Sequence, residues 1–116
     1  MHELSICQSM LKQVCDVARQ YHAPHVHSVR IQLGPLSGIE ADLLKQVFPI
    51  ASSGTLADGA ELLIQTMPVR VLCKHCNAAF DVQINQLGCP VCGDTHTQLV
   101  SGDEMILDSV QLAGHH

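Results

Sequence analysis

Apolar residues recur every three or four positions over residues 4–21, which predicts an amphipathic helix. Its apolar side carries Leu4, Ile6, Cys7, Met10, Leu11, Val14, Val17, Ala18 and Tyr21. This arc covers roughly half of the circumference at about 100° per residue, which suits a helix lying across a sheet. Cys7 and Cys15 lie on or beside the arc, about 12 Å apart along the helix axis, too far apart for a disulfide. We therefore expect both to be buried as small hydrophobic residues.

The pattern then changes to alternation, which predicts a half-buried strand over residues 27–33. Its two faces carry His27, Val29, Ile31 and Leu33 on one side and Ser28, Arg30 and Gln32 on the other. A turn over residues 34–38 follows, and Ser37-Gly38-Ile39-Glu40 matches a capping box that opens a second helix. That helix is disturbed by Pro49 and ends near Gly54.

Three later segments have strand character. One runs from about Leu62 to Thr66, and another is a hairpin in which Phe80, Val82 and Ile84 alternate. The last, Met105–Leu112, is expected to return and pair with the first two strands. These elements predict an α+β fold with two helices on a small three-stranded mixed sheet. Residues 1–68 plus 100–116 would form one discontinuous domain, and residues 69–99 an inserted one.

The amino-acid composition and charge indicate a protein with an aliphatic core and argue against nucleic-acid and membrane partners. Hydrophobic residues make up 47 % of the 116 residues but aromatic residues only 3 %, so the core must be aliphatic. The net charge of −5 and the six scattered Lys and Arg residues argue against a nucleic-acid partner. No apolar stretch reaches the roughly 18 residues of a membrane span, and no signal peptide is visible. We expect a cytoplasmic protein without a membrane partner, in which the six cysteines stay reduced.

Four of those cysteines form two C-x-x-C pairs, Cys73 with Cys76 and Cys89 with Cys92, separated by twelve residues. Two such turns can present four thiolates to one Zn²⁺ ion, and a site closed by four protein ligands is structural. The inserted domain is therefore predicted to be a four-cysteine zinc ribbon. The alternatives are a redox pair at residues 89–92 and a rubredoxin-like iron site. His75 and His96 lie close to the cysteines, and we expect each to be solvated or beside the ligands, the alternative being a fifth ligand. Either histidine can make the site sensitive to pH.

The first three residues offer a different set of ligands. The Met1 amine, the amide nitrogens of His2 and Glu3 and the His2 imidazole can close adjacent chelate rings. Such a square of nitrogens suits Ni²⁺ or Cu²⁺ better than Zn²⁺. The alternative is a frayed terminus that binds nothing. The closing Gly114-His115-His116 is given little weight as a metal site.

The chain resembles the hydrogenase nickel-insertion accessory proteins of the HypA/HybF family over essentially its full length. The likeness is carried, in family order, by Met1-His2-Glu3-Leu4-Ser5, residues 34–40, residues 60–68, both cysteine pairs, and residues 102–110.

This resemblance implies a nickel metallochaperone, not an enzyme, that delivers Ni²⁺ during maturation of [NiFe] hydrogenase. It implies structural Zn²⁺ in the ribbon and Ni²⁺ held mainly by His2, with the Met1 amine and the Glu3 backbone beside it. Glu40 matches an acidic family position near the nickel site, and is either a ligand or a helix cap. The implied partners are a GTPase nickel chaperone and the hydrogenase large subunit, with urease maturation in some organisms. We expect a monomer or a weak homodimer.

Two other classes of function compete with this interpretation. The first is a zinc-ribbon interaction module that transfers no nickel. The second is a thiol redox or hydrolytic enzyme, which has the least support because no Ser/His/Asp order or open three-ligand metal site is apparent.

Overall fold

The computed structural model describes residues 2–113, and of His2 the backbone alone. Within this range the elements follow in the order α1 (His2–Gln20), β1 (His25–Leu33), α2 (Ala41–Ser52), β2 (Glu61–Thr66), β3 (Val69–Cys73), β4 (Ala78–Val82), β5 (Thr97–Ser101) and β6 (Met105–Ala113). They form two three-stranded sheets, ordered β2-β1-β6 and β4-β3-β5. The second sheet is an insertion between β2 and β6, which confirms the predicted fold class.

The chain divides into two compact units. The first combines residues up to Gln32, Ile39–Gln65 and residues from Ile106 onward, and the second combines Leu33–Gly38 with Thr66–Met105. No helix in the described part of the chain is long and apolar enough to cross a membrane.

The β2-β1-β6 sheet is mixed. The N–H of Val26 donates to the Leu56 carbonyl at 2.8 Å and the N–H of Met67 donates to the Leu33 carbonyl at 3.0 Å, so β1 and β2 run in the same direction. By contrast, the Ser28 hydroxyl meets the Gln111 amide oxygen at 3.1 Å while the N–H of Gly34 donates to the Glu104 carbonyl at 2.9 Å. Strand β6 is therefore antiparallel to β1, because the residue numbers of the β6 partners fall as those along β1 rise.

The core of the first unit is aliphatic, as the composition predicts. It is built from residues of α1, β1 and α2 that are at most 6 % exposed: Cys7, Met10, Leu11, Val14, Cys15, Ala18, Val26, Val29, Ile31, Leu44, Val47 and Phe48. The Cys7 thiol lies 3.9 Å from the Leu44 carbonyl, which joins α1 to α2, and burial raises the pKa of this thiol. Cys7 and Cys15 are free and buried, which confirms their prediction as small hydrophobic residues.

Three local predictions are wrong. His27 is exposed and Val26 is buried, so the expected alternation holds only from Val29 onward. Helix α2 begins at Ala41 with Glu40 as its N-cap, and Glu40 makes no side-chain capping hydrogen bond, so the predicted capping box does not form. The local sequence matched a capping box with Ser37 as the N-cap. The backbone is still extended at Glu40, so the helix starts three residues later than the box predicts. Ile84 lies beyond β4 and is 52 % exposed.

The sheet of the second unit is antiparallel and has a small core. Strand β3 is central, pairing Val71 with Phe80 of β4 and with Leu99 of β5, with an irregularity at Arg70/Val71. Its apolar residues Val69 and Val71 are buried, whereas Ile84, Leu87, Val91, Leu99 and Val100 stay exposed. So small an apolar core contributes little stabilisation, as in other small domains that depend on a metal or disulfides.

Two glycines allow the backbone to pass closely within the second unit. A Cβ on Gly34 would lie 2.2 Å from the Gly102 carbonyl oxygen, and Gly102 itself has a φ of +117°. The N–H groups of Gly34 and Leu36 donate to the Glu104 and Gly102 carbonyls at 2.9 and 2.8 Å. The turn after β1 therefore lies against the segment that leads into β6, and only glycine fits this approach.

We predict that Gly34→Ala destabilises the protein by about 3 kcal/mol, because the added methyl group overlaps backbone atoms that cannot move aside. The free energy of unfolding, measured by denaturant titration of the zinc-loaded protein, checks this. Gly54→Asn is the matched control, since Gly54 has open space around its Cβ position and Asn tolerates its φ of +79°. Equal losses in the two variants would contradict the close approach.

Candidate metal centre

The first cysteine pair lies on the turn that joins β3 to β4. Cys73 is the last residue of β3, and the turn closes at Asn77, whose φ is +54°. This left-handed residue reverses the chain immediately before β4 starts at Ala78. The N–H of Cys76 points to the Cys73 sulfur at 3.4 Å, so the turn brings both sulfurs to the same side.

The second pair lies on a turn of the same kind. The N–H of Gly93 donates to the Cys89 carbonyl at 2.9 Å, and the N–H of Cys89 donates to the Asp94 carbonyl at 2.9 Å. The N–H groups of Val91 and Cys92 point to the Cys89 sulfur at 3.4 and 3.5 Å. These two backbone N–H groups stabilise negative charge on the Cys89 sulfur. The sequence pattern alone did not predict this.

The two turns bring the four sulfurs together. All four lie within 4.8 Å of one another, and they are the only such cluster of His, Cys, Asp or Glu ligands within residues 2–113. The sulfurs of Cys73 and Cys92 are 3.6 Å apart, and those of Cys76 and Cys89 are 3.8 Å apart. A tetrahedral Zn²⁺ ion with bonds of about 2.3 Å requires sulfur–sulfur distances of about 3.8 Å. The spacing and chemistry of the sulfur atoms therefore fit a metal ion bound tetrahedrally by four thiolates.

Two of the four thiols, those of Cys89 and Cys76, differ widely in acidity. The backbone N–H of Cys92, and then that of Val91, lower the pKa of Cys89 to about 6. The hydrogen bond with the Cys92 sulfur, followed by burial, raises the pKa of Cys76 to about 12. The Cys89 thiolate is thus favoured and Cys76 keeps its proton, because several anions this close together repel one another. A cation removes this repulsion.

The two histidines near the cluster are on its outside. The His96 side chain is 94 % exposed and bonds to the Asp94 carboxylate at 3.1 Å, and its backbone N–H donates to the same oxygen at 2.9 Å. That backbone hydrogen bond is the main cause that lowers the pKa of Asp94. His75 is exposed as well. Neither histidine belongs to the cluster of metal-ligating atoms.

The N-terminal candidates lie partly beyond what the structure describes. Met1, the His2 side chain and Gly114-His115-His116 are outside the described residues, whereas Glu3 and Glu40 are within them. The carboxylate of Glu3 accepts a hydrogen bond from the backbone N–H of Glu40 at 3.4 Å. Two residues that are 37 positions apart in the chain are therefore neighbours at the start of α1. No local sequence signal predicts this hydrogen bond.

We predict that divalent metal binding at the four thiols weakens as pH falls. Because Cys76 is protonated near neutral pH and must lose its proton to bind, the affinity should fall at least tenfold per pH unit between pH 8 and pH 6. Below about pH 6 the slope should steepen, because Cys89, with a pKa of about 6, then binds a proton too. Competition with a chromophoric chelator at several pH values measures this slope. An affinity that does not change with pH would contradict this assignment.

The chain matches known proteins over nearly its whole length. The family model described as "Hydrogenase/urease nickel incorporation, metallochaperone, hypA" matches residues 1–112. The hydrogenase maturation factor HypA of Nitrosospira multiformis is 43 % identical over 112 residues, and that of Aquifex aeolicus is 38 % identical over 112 residues, each alignment covering 97 % of both chains.

Two solved structures share the fold. The solution structure of the Ni metallochaperone HypA from Helicobacter pylori aligns with a TM-score of 0.70 at 23 % identity, over 95 % of this chain and 96 % of that one. A second HypA solution structure aligns with a TM-score of 0.76 at 24 % identity, over 99 % and 98 % of the two chains. With the family match over residues 1–112, these findings confirm the resemblance read from the sequence: the chain belongs to the HypA family of hydrogenase and urease nickel-incorporation metallochaperones.

Proposed function

We propose that this protein binds one Ni²⁺ ion at its N-terminus and delivers it during maturation of [NiFe] hydrogenase, while Zn²⁺ holds the four-cysteine ribbon together. The nickel ligands would be the Met1 amine, the imidazole and amide of His2, and the amide of Glu3. The observation that carries the proposal is the family match, which extends through residue 1 as well as through both cysteine pairs. The match therefore covers both proposed metal sites.

The start of α1 is chemically suited to nitrogen coordination. The first four N–H groups of a helix have no carbonyl partner within it, and helix α1 begins at His2. The amide of Glu3 is therefore not committed to the helix ladder and can bind a metal once it is deprotonated. Ni²⁺ accepts such an arrangement of nitrogens more readily than Zn²⁺ does.

Glu40 is proposed as an additional ligand or as a carboxylate that neutralises the bound cation. Its backbone bonds to Glu3, which places it beside the first turn of α1. It is exposed, and its side chain makes no capping hydrogen bond. The Glu40 side chain therefore does not fill the capping role that the sequence suggested, and its carboxylate is available to a metal.

The two sites differ in how easily they release a metal. A tetrathiolate site closed by protein must lose several strong bonds before its ion can leave. An open site at a chain terminus can exchange its donors one at a time with those of a recipient. We therefore assign nickel transfer to the N-terminus, with a GTPase nickel chaperone and the hydrogenase large subunit as partners. The six free cysteines agree with a cytoplasmic location.

We predict that His2→Ala removes the tight nickel site and leaves the zinc content at about one ion per chain. An N-terminal extension should have the same effect, because it converts the Met1 amine into an amide. Metal analysis after equilibrium dialysis of untagged protein against Ni²⁺ checks both variants. His22→Asn is the matched control, since it removes an exposed histidine at a φ of +56° that Asn tolerates. Unchanged tight binding in His2→Ala would refute the N-terminal assignment.

We predict that Glu40→Gln weakens nickel binding about tenfold without lowering thermal stability, because the carboxylate is lost but no capping hydrogen bond is. Calorimetric titration of Ni²⁺ and a thermal melt measure the two effects. Glu61→Gln, which removes another exposed carboxylate, should leave nickel affinity unchanged. A drop in melting temperature with unchanged nickel affinity would instead indicate a purely structural role for Glu40.

A further inference from the structure

A pair of histidines on β1 has no role in either proposed metal site. His25 and His27 are both exposed, and Val26 between them is only 1 % exposed. Residues two apart on a strand project to the same side, with Cα atoms about 6.6 Å apart. Two imidazoles at this spacing can turn toward one ion and reach it with bonds of about 2.1 Å.

The two rings are free to bind. Among the hydrogen bonds and ion pairs of residues 2–113, none engages the side chain of His25 or His27. The sequence contains no Asp or Glu between Asp16 and Glu40, so no acidic neighbour along this stretch competes for them. The ring nitrogens are therefore available to a cation from solution.

The backbone beneath the pair is held in place. Strand β1 is central in its sheet, between β2 and β6. The N–H of Val26 donates to the Leu56 carbonyl at 2.8 Å, and the buried Val26 side chain anchors the segment between the two histidines. Because the strand is already ordered, little backbone entropy is lost when both rings bind one ion.

We propose that His25 and His27 form a second, weaker site for a divalent transition-metal cation of the Ni²⁺ and Cu²⁺ class, with water completing the coordination. Imidazole nitrogens suit these cations and not Mg²⁺ or Ca²⁺. The site is separate from the four cysteines, which belong to the other compact unit. It also depends on none of residues 1–3, so it stands whether or not the N-terminal proposal is correct.

The test titrates NiCl₂ into zinc-loaded, ¹⁵N-labelled His2→Ala protein, so that the thiols and the N-terminal site do not contribute. Paramagnetic broadening should appear first at the backbone amides of residues 25–28. His25→Ala and His27→Ala should each weaken the fitted affinity at least tenfold. His22→Asn, the matched control, should leave it unchanged.

A third variant separates this site from the closing histidines. Removal of residues 114–116, which carry His115 and His116, should leave the affinity unchanged and the broadening at residues 25–28. Loss of binding in that truncated chain would overturn the proposal and assign the ion to the tail. Equal affinity in the His25→Ala/His27→Ala double variant and its parent would overturn it as well. Unchanged zinc content and circular dichroism in every variant show that the fold is intact.

Discussion

Repulsion between four closely spaced sulfurs is the constraint on which the second unit depends. The thiols of Cys73 and Cys92 lie 3.6 Å apart and those of Cys76 and Cys89 lie 3.8 Å apart, at the end of a sheet with few buried apolar residues. Without a cation, Cys89 is favoured as a thiolate whereas Cys76 keeps its proton. A metal bound by the four sulfurs would join the two turns, and would so replace the hydrophobic core that the small sheet lacks.

The bonds by which a metal would stabilise the ribbon would also make this site slow to release the ion. Its ligands come from two turns that are held by their own backbone hydrogen bonds, so release of the ion would require the turns to open. Helix α1, in contrast, starts with N–H groups that have no carbonyl partner within the helix, and the carboxylate of Glu3, in the same first turn, accepts a hydrogen bond from the Glu40 N–H. The proposed function would thus separate retention of one metal from exchange of another within a chain of 116 residues.

The sequence predicted the elements well where a single periodicity persisted, as in α1 and in β1 from Val29 onward. It also predicted which cysteines converge, because two C-x-x-C turns allow few arrangements. It failed at Ser37–Glu40, because a capping box is recognised from four residues, whereas the actual helix start depends on how the preceding turn packs. Contacts between distant residues, such as Glu3 with Glu40 or Gly34 with Gly102, leave no local pattern. They could be found only from the folded chain.

X-ray absorption spectroscopy on untagged protein loaded with one Zn²⁺ and one Ni²⁺ tests the separation of the two metals most directly. The absorption edge of each metal reports the ligands of that metal alone. Nickel held at the N-terminus should show only nitrogen and oxygen neighbours, and zinc should show four sulfurs at about 2.3 Å. Sulfur neighbours around nickel, with no contribution from the first three residues, would contradict the proposed division of roles.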